Sequence, residues 1–361
     1  MRLKRIMASV VMASMIVGAL TACGNENVQN NNETSTKKAL VGLVTTEGGV
    51  NDKSFNQSAD KGIKKAAEEF DVKYSVIESF NKEDYEENME ALIDEEADLI
   101  FATGFQMVDA VKNVAENYEN SNFAIVDNIV ELDNVKSIVF KEHEGSFLMG
   151  VIAGKMTESN KVGFMGGRDI ELTNRFEVGF AAGVMSVNPE AGKYLMDRKT
   201  VKYVESFVDV NKGYEVAKSL YDEGCDVVYH AAGGAGIGMF SAAQELRNSG
   251  KDVWCIGVDM DQAQTMPEYK NVLLSSMVKR VDVGTYEVVK EVANGEFEGG
   301  KVVQMGLKEN ALEIAESTSN NTPTEVIELA EQYKEAIAKG EIKVPSNFDE
   351  LMSFKGVSLE K

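Results

Sequence analysis

The chain has 361 residues, with 37 Lys plus Arg against 59 Asp plus Glu and a formal net charge of −22. That balance excludes a nucleic-acid surface, which needs clustered positive charge to displace counterions from phosphate. With 43% hydrophobic residues and only 4 prolines the chain is neither disordered nor a Pro-rich linker; its length exceeds what one core usually fills, so two lobes are expected.

The first segment reads as a targeting sequence. Arg2, Lys4 and Arg5 precede an apolar run from Ile6 to Leu20, which is the pattern of a signal peptide over residues 1–22. The run is shorter than the roughly 20 apolar residues of a membrane span. Leu20-Thr21-Ala22-Cys23 resembles the bacterial lipobox, which implies a diacylglycerol on the Cys23 thiol and an anchor in the membrane. Residues 23–36 hold almost nothing apolar and read as a flexible tether.

From Lys37 onward short apolar runs alternate with amphipathic helices. Strands are expected at 39–44, 72–77, 98–104 and 122–127, with helices at 54–70, 84–96 and 108–118 between them. A long helix follows at 143–156, and the unit then restarts. Strands at 161–167, 201–207, 225–232 and 252–259 alternate with helices at 174–185, 211–223 and 237–249. The last stretch adds strands at 272–278 and 301–307 and helices at 282–294 and 323–338. Such alternation predicts an α/β protein of two doubly wound parallel-sheet lobes. The boundaries place a first lobe at 37–155 and a second at 156–259. Residues 260–361 then cross the hinge and complete both. Cys225 and Cys255 lie in or beside apolar runs and read as buried free thiols rather than a disulfide.

Ligands of open parallel sheets sit beyond the carboxyl ends of the strands. Those ends present Asn51, Asp52 and Phe55, then Thr103 to Phe105, then Asp127 and Asn128 in the first half. The second half presents Arg175 and Phe176, Phe207, Gly233 and Gly234, Asp259 and Lys279. Aromatics, carboxylates and glycines suit a flat, hydroxylated, uncharged ligand: rings stack on Phe faces and carboxylates accept from hydroxyl or ring N–H groups. Phosphate is disfavoured by Asp52, Asp127 and Asp259. The glycine run at 233–238 fails the dinucleotide fingerprint, because Met239 stands where its last glycine is needed. Histidine occurs only at 143 and 230, and both read as structural; no metal motif is visible.

The stretch Gly48-Gly49-Val50-Asn51-Asp52-Lys53-Ser54-Phe55-Asn56-Gln57 resembles the signature of the basic membrane protein family, lipoproteins similar to the purine nucleoside receptors of ABC importers. Ala102-Thr103-Gly104-Phe105, Glu144 to Gly150, Gly257-Val258-Asp259 and the lipobox agree, so the resemblance runs over nearly the whole mature chain. It implies a type I periplasmic-binding-protein fold hinged by several strands. It further implies a monomeric receptor on the outer membrane face that hands a purine nucleoside to a permease, with no cofactor. In that reading Phe55 is one stacking face, and Phe176 and Phe207 compete for the other. Asp127 accepts from the base edge, and Asp259 and Lys279 hold the ribose. Asn51, Asp52 and Asn56 shape the floor, and Gly233 and Gly234 offer backbone contacts. Two other classes stay open: a nucleoside-cleaving enzyme using Asp52 or Asp127, and a surface sensor or adhesin of the same fold.

Overall fold

The computed structural model describes residues 38–359. The expected signal peptide (1–22), Cys23 and the expected tether (23–36) lie outside the described residues. In chain order, β1 (Leu40–Thr45), α1 (Phe55–Glu69), β2 (Lys73–Glu78), α2 (Asp84–Asp94), β3 (Leu99–Thr103), α3 (Val108–Asn117), β4 (Phe123–Val126) and β5 (Val135–Phe140) build a first lobe. Next come α4 (Glu142–Met156), β6 (Val162–Gly166), α5 (Glu171–Val187), α6 (Pro189–Met196), β7 (Val201–Tyr203) and α7 (Val210–Asp222). They are followed by β8 (Val227–Ala231), α8 (Gly236–Asn248), β9 (Trp254–Asp259), α9 (Gln262–Thr265) and β10 (Leu273–Lys279), which complete the body of a second lobe. The chain returns to the first lobe with α10 (Val281–Asn294) and β11 (Val302–Met305). It ends in the second with β12 (Leu312–Ile314), α11 (Thr324–Ala338) and α12 (Phe348–Ser353).

Each lobe holds one six-stranded sheet, in the orders β11-β5-β4-β3-β1-β2 and β12-β10-β9-β8-β6-β7. The central strands β1, β3, β4, β6 and β8 are buried almost end to end, which explains their unbroken apolar runs; the edge strand β2 is largely solvated. All pairings are parallel except β12 with β10. β11 leaves the first sheet at its carboxyl end, the side that faces the hinge. Only seven residues later β12 enters the second sheet from that side, so it must run against its neighbours.

α4 packs on the second lobe, so the first lobe ends at β5 rather than at residue 155. The cause is close helix pairing. A Cβ on Gly150 would lie 2.3 Å from the Phe180 carbonyl oxygen, and one on Gly183 would lie 2.0 Å from that of Phe147. No other residue lets α4 and α5 approach so closely. In return α10 packs on α1, where Thr285 Oγ1 donates to the Ala59 carbonyl at 3.2 Å. The chain thus crosses between the lobes three times, near 141, 280 and 306–311.

β5 is a strand that hydrophobic patterning does not reveal, because Lys136 and Ser137 interrupt it. Both are buried and both are satisfied. Lys136 pairs with Glu291, and Ser137 Oγ accepts from the Val130 N–H at 3.1 Å. β7 is shorter than the expected strand at 201–207, and Phe207 lies beyond it. Glu205 turns the chain with φ +59°, and Ser206 Oγ accepts from the N–H groups of Val208 and Asp209. Cys225 and Cys255 are free and buried.

Candidate functional site: the interlobe cleft

Strand order reverses between β1 and β3 in one lobe and between β6 and β8 in the other. Open α/β sheets bind ligands at such switch points. Residues 46–48, 104–106, 207–208 and 233–234 meet there around a cavity of about 740 Å³, mouth included.

The polar floor begins with the loop into α1. Asp52 accepts from the N–H groups of Ser54 (2.9 Å), Asn56 (2.9 Å) and Gln57 (3.1 Å), so its carboxylate caps the helix. Burial still pushes its pKa upward. Asn56 bridges β1 and β3: its Oδ1 accepts from Thr103 Oγ1 at 2.8 Å and its Nδ2 donates to Thr46 Oγ1 at 3.1 Å. Both side chains hold the cleft wall together from behind.

Asp127 follows β4 and Asp259 ends β9, two strands that occupy the same position in the two sheet orders. Both take left-handed backbone conformations, φ +70° and +65°. That conformation costs a side-chain-bearing residue about 1–2 kcal/mol, and it bends each strand end so that the carboxylate lines the cavity. The adjacent cation is Lys279, the last residue of β10 and 1% exposed. Its Nζ donates to both Asp127 oxygens at 2.6 and 2.7 Å and to Glu142 Oε1 at 3.0 Å. Glu142 opens α4 and also takes Arg175 Nε at 2.8 Å. Lys279 and Glu142 therefore belong to two of the three crossings as well as to the site.

Burial pushes the carboxyls of Asp127 and Asp259 up to about 6, against the pull of Lys279. Burial acts on Glu142 in the same sense, but two cations outweigh it and hold that carboxyl below its ordinary value. Burial works to lower Lys279, whereas Asp127, Glu142 and Asp259 together raise it. Three buried carboxylates face Lys279 and Arg175, which leaves the cluster short of positive charge. An anionic ligand would be repelled; hydroxyl and N–H donors would be welcomed.

The aromatic walls are unequal. The Lys279 ammonium lies 5.4 Å from the Phe55 ring centroid and 5.6 Å from that of Phe176. Phe176, on α5, is 5% exposed. Phe207 is more open, sits on Gly167, and meets Phe105 edge-on at 5.8 Å between centroids. A Cβ on Gly167 would come within 2.2 Å of the Phe207 ring. Gly233 has φ +54°, and the Phe207 carbonyl lies close to both Gly233 and Gly234 while accepting from the Ala235 N–H at 3.0 Å.

Phe55, Asp127, Phe176, Phe207, Gly233, Gly234, Asp259 and Lys279 thus share one cavity, with Asp52 and Asn56 on its floor. Asn51 does not join them. It is exposed and lines a shallow outer depression beside α1, because the loop has already turned outward at that residue. Glu142 was not anticipated, since an unrecognised β5 hides the strand end it follows. Arg175 was visible as a strand-end residue, but its partner was not. Among the described residues no group of His, Cys, Asp and Glu could hold a metal ion, and no helix is long and apolar enough to cross a membrane.

Residues 39–348 match the family model Bmp, described as "ABC transporter substrate-binding protein PnrA-like". Over 354 residues the chain is 38% identical to the "CD4+ T-cell-stimulating antigen" of Listeria innocua, covering 93% of this chain and 96% of that protein. It is 34% identical to the Lactococcus lactis protein named "ABC transporter nucleoside-binding protein BmpA", over 95% of this chain and 99% of the relative. Among solved structures, a solute-binding protein of an ABC transporter system from Aeropyrum pernix matches with TM-score 0.73 and 28% identity, over 88% of this chain and 98% of that one. By sequence and by fold, the chain belongs to the Bmp family of PnrA-like ABC transporter substrate-binding proteins.

Proposed function

We propose that this protein is a monomeric, lipid-anchored receptor on the extracytoplasmic face of the membrane that encloses a purine nucleoside and passes it unchanged to an ABC permease. The observation that carries the reading is the buried Lys279–Asp127 pair, with Asp259 and Phe55 beside it in one interlobe cavity. A heterocycle stacks on Phe55, its edge donating to Asp127. Phe207 is the better second face, because Phe176 is nearly buried and packs on the Lys279 ammonium. Asp259 accepts from one sugar hydroxyl, and Lys279, whose three N–H groups are held by Asp127 and Glu142, turns one of them to another. Each base stack contributes roughly 1–3 kcal/mol and each hydrogen bond to a charged group about 1.5–3 kcal/mol. After association costs, submicromolar binding is within reach.

Cleavage of the nucleoside is disfavoured. The Asp52 carboxylate is occupied by three backbone N–H groups and that of Asp127 by Lys279, so neither is a free acid or base. Calorimetry against nucleosides, free bases and nucleotides tests the proposal, with chromatography of an inosine incubation beside it. Tight binding of a nucleoside without release of base is expected. Silence across the nucleosides, or turnover, overturns it.

A further inference from the structure

Behind the carboxylate wall, the two lobes also touch through a buried polar chain. Gln262, the first residue of α9, is fully buried, as is His230 on β8. Gln262 Oε1 accepts from the Val258 N–H at 2.8 Å, and its Nε2 donates at 3.3 Å to the carbonyl of Lys53, which belongs to the other lobe. The amide cannot be turned over: its oxygen must meet the Val258 N–H, so its NH₂ must point across the cleft.

His230 strengthens that choice. Its Nδ1 accepts from the Ala232 N–H at 3.3 Å, so the ring proton sits on Nε2 and donates to Gln262 Oε1 at 3.1 Å. Burial holds the imidazole neutral, with its pKa down to about 4. Two glycines make room. A Cβ on Gly236 would come within 2.0 Å of the His230 ring, and one on Gly257 within 2.4 Å of Gln262 Oε1. The glycine run that fails as a dinucleotide fingerprint therefore seats a histidine.

The facing side is equally shaped. Lys53 has φ +59°, in the left-handed region, and its carbonyl accepts from Gln262. The neighbouring Ser54 is fully buried, and its Oγ donates to Asp259 Oδ2 across the same seam. Asp52 holds the turn by gathering three backbone N–H groups.

We infer that Gln262, oriented by His230, is a positioning residue that latches the second lobe onto the Lys53–Ser54 turn of the first and so sets the balance between open and closed cleft. The latch rests on reading the cleft as a ligand site that closes, but it does not depend on which ligand is enclosed. A donor contact between the lobes stabilises the closed state alone, so its loss speeds ligand escape rather than entry.

Gln262→Glu tests this directly, because it places an oxygen opposite the Lys53 carbonyl and keeps an acceptor for Val258 and His230. Gln262→Asn is the second variant, an amide one methylene too short to span the seam. For each, the full-length protein is examined by small-angle scattering without added ligand, by stopped-flow binding of inosine, and by thermal melting. A larger radius of gyration than wild type is expected, with inosine dissociation about tenfold faster and association changed less than twofold. A folded variant with wild-type scattering and dissociation overturns the latch. If both variants fail to melt cooperatively, Gln262→Met, which keeps the length of the side chain and removes the donor to the Lys53 carbonyl, is measured the same way, and unchanged scattering there also overturns it. Absence of inosine binding by the wild type removes the nucleoside reading only; the scattering comparison then decides the latch alone.

Discussion

The two lobes repeat one design, and within the cleft they depart from it at one equivalent pair of residues. Asp127 and Asp259 stand at the ends of equivalent strands in the same left-handed conformation, and burial raises both to about 6. Yet Lys279 chelates Asp127, whereas the closest side-chain partner of Asp259 is the hydroxyl of Ser54. The difference teaches how a symmetric frame acquires an asymmetric site. One carboxylate is held by an ion pair that also ties the hinge, and the other by a single neutral hydroxyl from the facing lobe.

Breaking the ion-paired half should do the most damage. Lys279→Met leaves Asp127 and Glu142 buried without their shared ammonium, and chemical denaturation should report a loss of about 3–5 kcal/mol. Breaking the other half should touch binding rather than folding. Asp259→Ala is expected to cost about 1.5–3 kcal/mol of nucleoside affinity by calorimetry, with a melting temperature near wild type. If the two substitutions gave the same stability loss, the asymmetry would be only apparent.

The aromatic walls sharpen the contrast further. Phe207→Ala should weaken nucleoside binding by about 1–3 kcal/mol while leaving stability nearly untouched. Phe176→Ala should instead destabilise the fold, since that ring is buried against Lys279 and the α5 packing. Calorimetry beside denaturant melts on both variants separates a stacking face from a core residue.

Acidity provides the gentlest probe. Asp259 titrates near 6 when folded and near 3.8 when unfolded, so between those values the native state binds more protons. Its contribution to stability therefore falls as pH rises from about 4 to 6. Its capacity to accept from a ligand hydroxyl runs the other way and is lost as pH drops below about 6, by up to tenfold per unit. Affinity and melting temperature followed across that window should move in opposite directions; parallel movement would count against Asp259 as an acceptor.

Most of the frame was legible because buried parallel strands are nearly pure apolar runs and glycines punctuate them, as at Gly104 and Gly167. The residues that line the cavity were legible for a related reason: strand ends are easy to locate once the strands are. Where a strand carries buried polar groups, as β5 does with Lys136 and Ser137, patterning is blind. Everything that depends on it, above all Glu142, disappears with it. The shortness of β7 was equally hidden, because Ser206 and Glu205 turn the chain by local hydrogen bonding and dihedral choice rather than by apolar pattern. Asn51, read together with its neighbours in the motif, lies outside the cavity they line. A motif places residues in sequence, but a turn of one residue decides which of them look inward.

The seven-residue step from β11 to β12 has a consequence for synthesis. Each sheet obtains its outermost strand from this late segment, so a ribosome that has delivered the first 300 residues has exposed two incomplete sheets, with the edges of β5 and β10 both bare. Neither half can mature ahead of the other, and bare strand edges invite pairing with other chains. A nascent chain stalled there should be a strong client for holding factors, and one released with β12 complete should not.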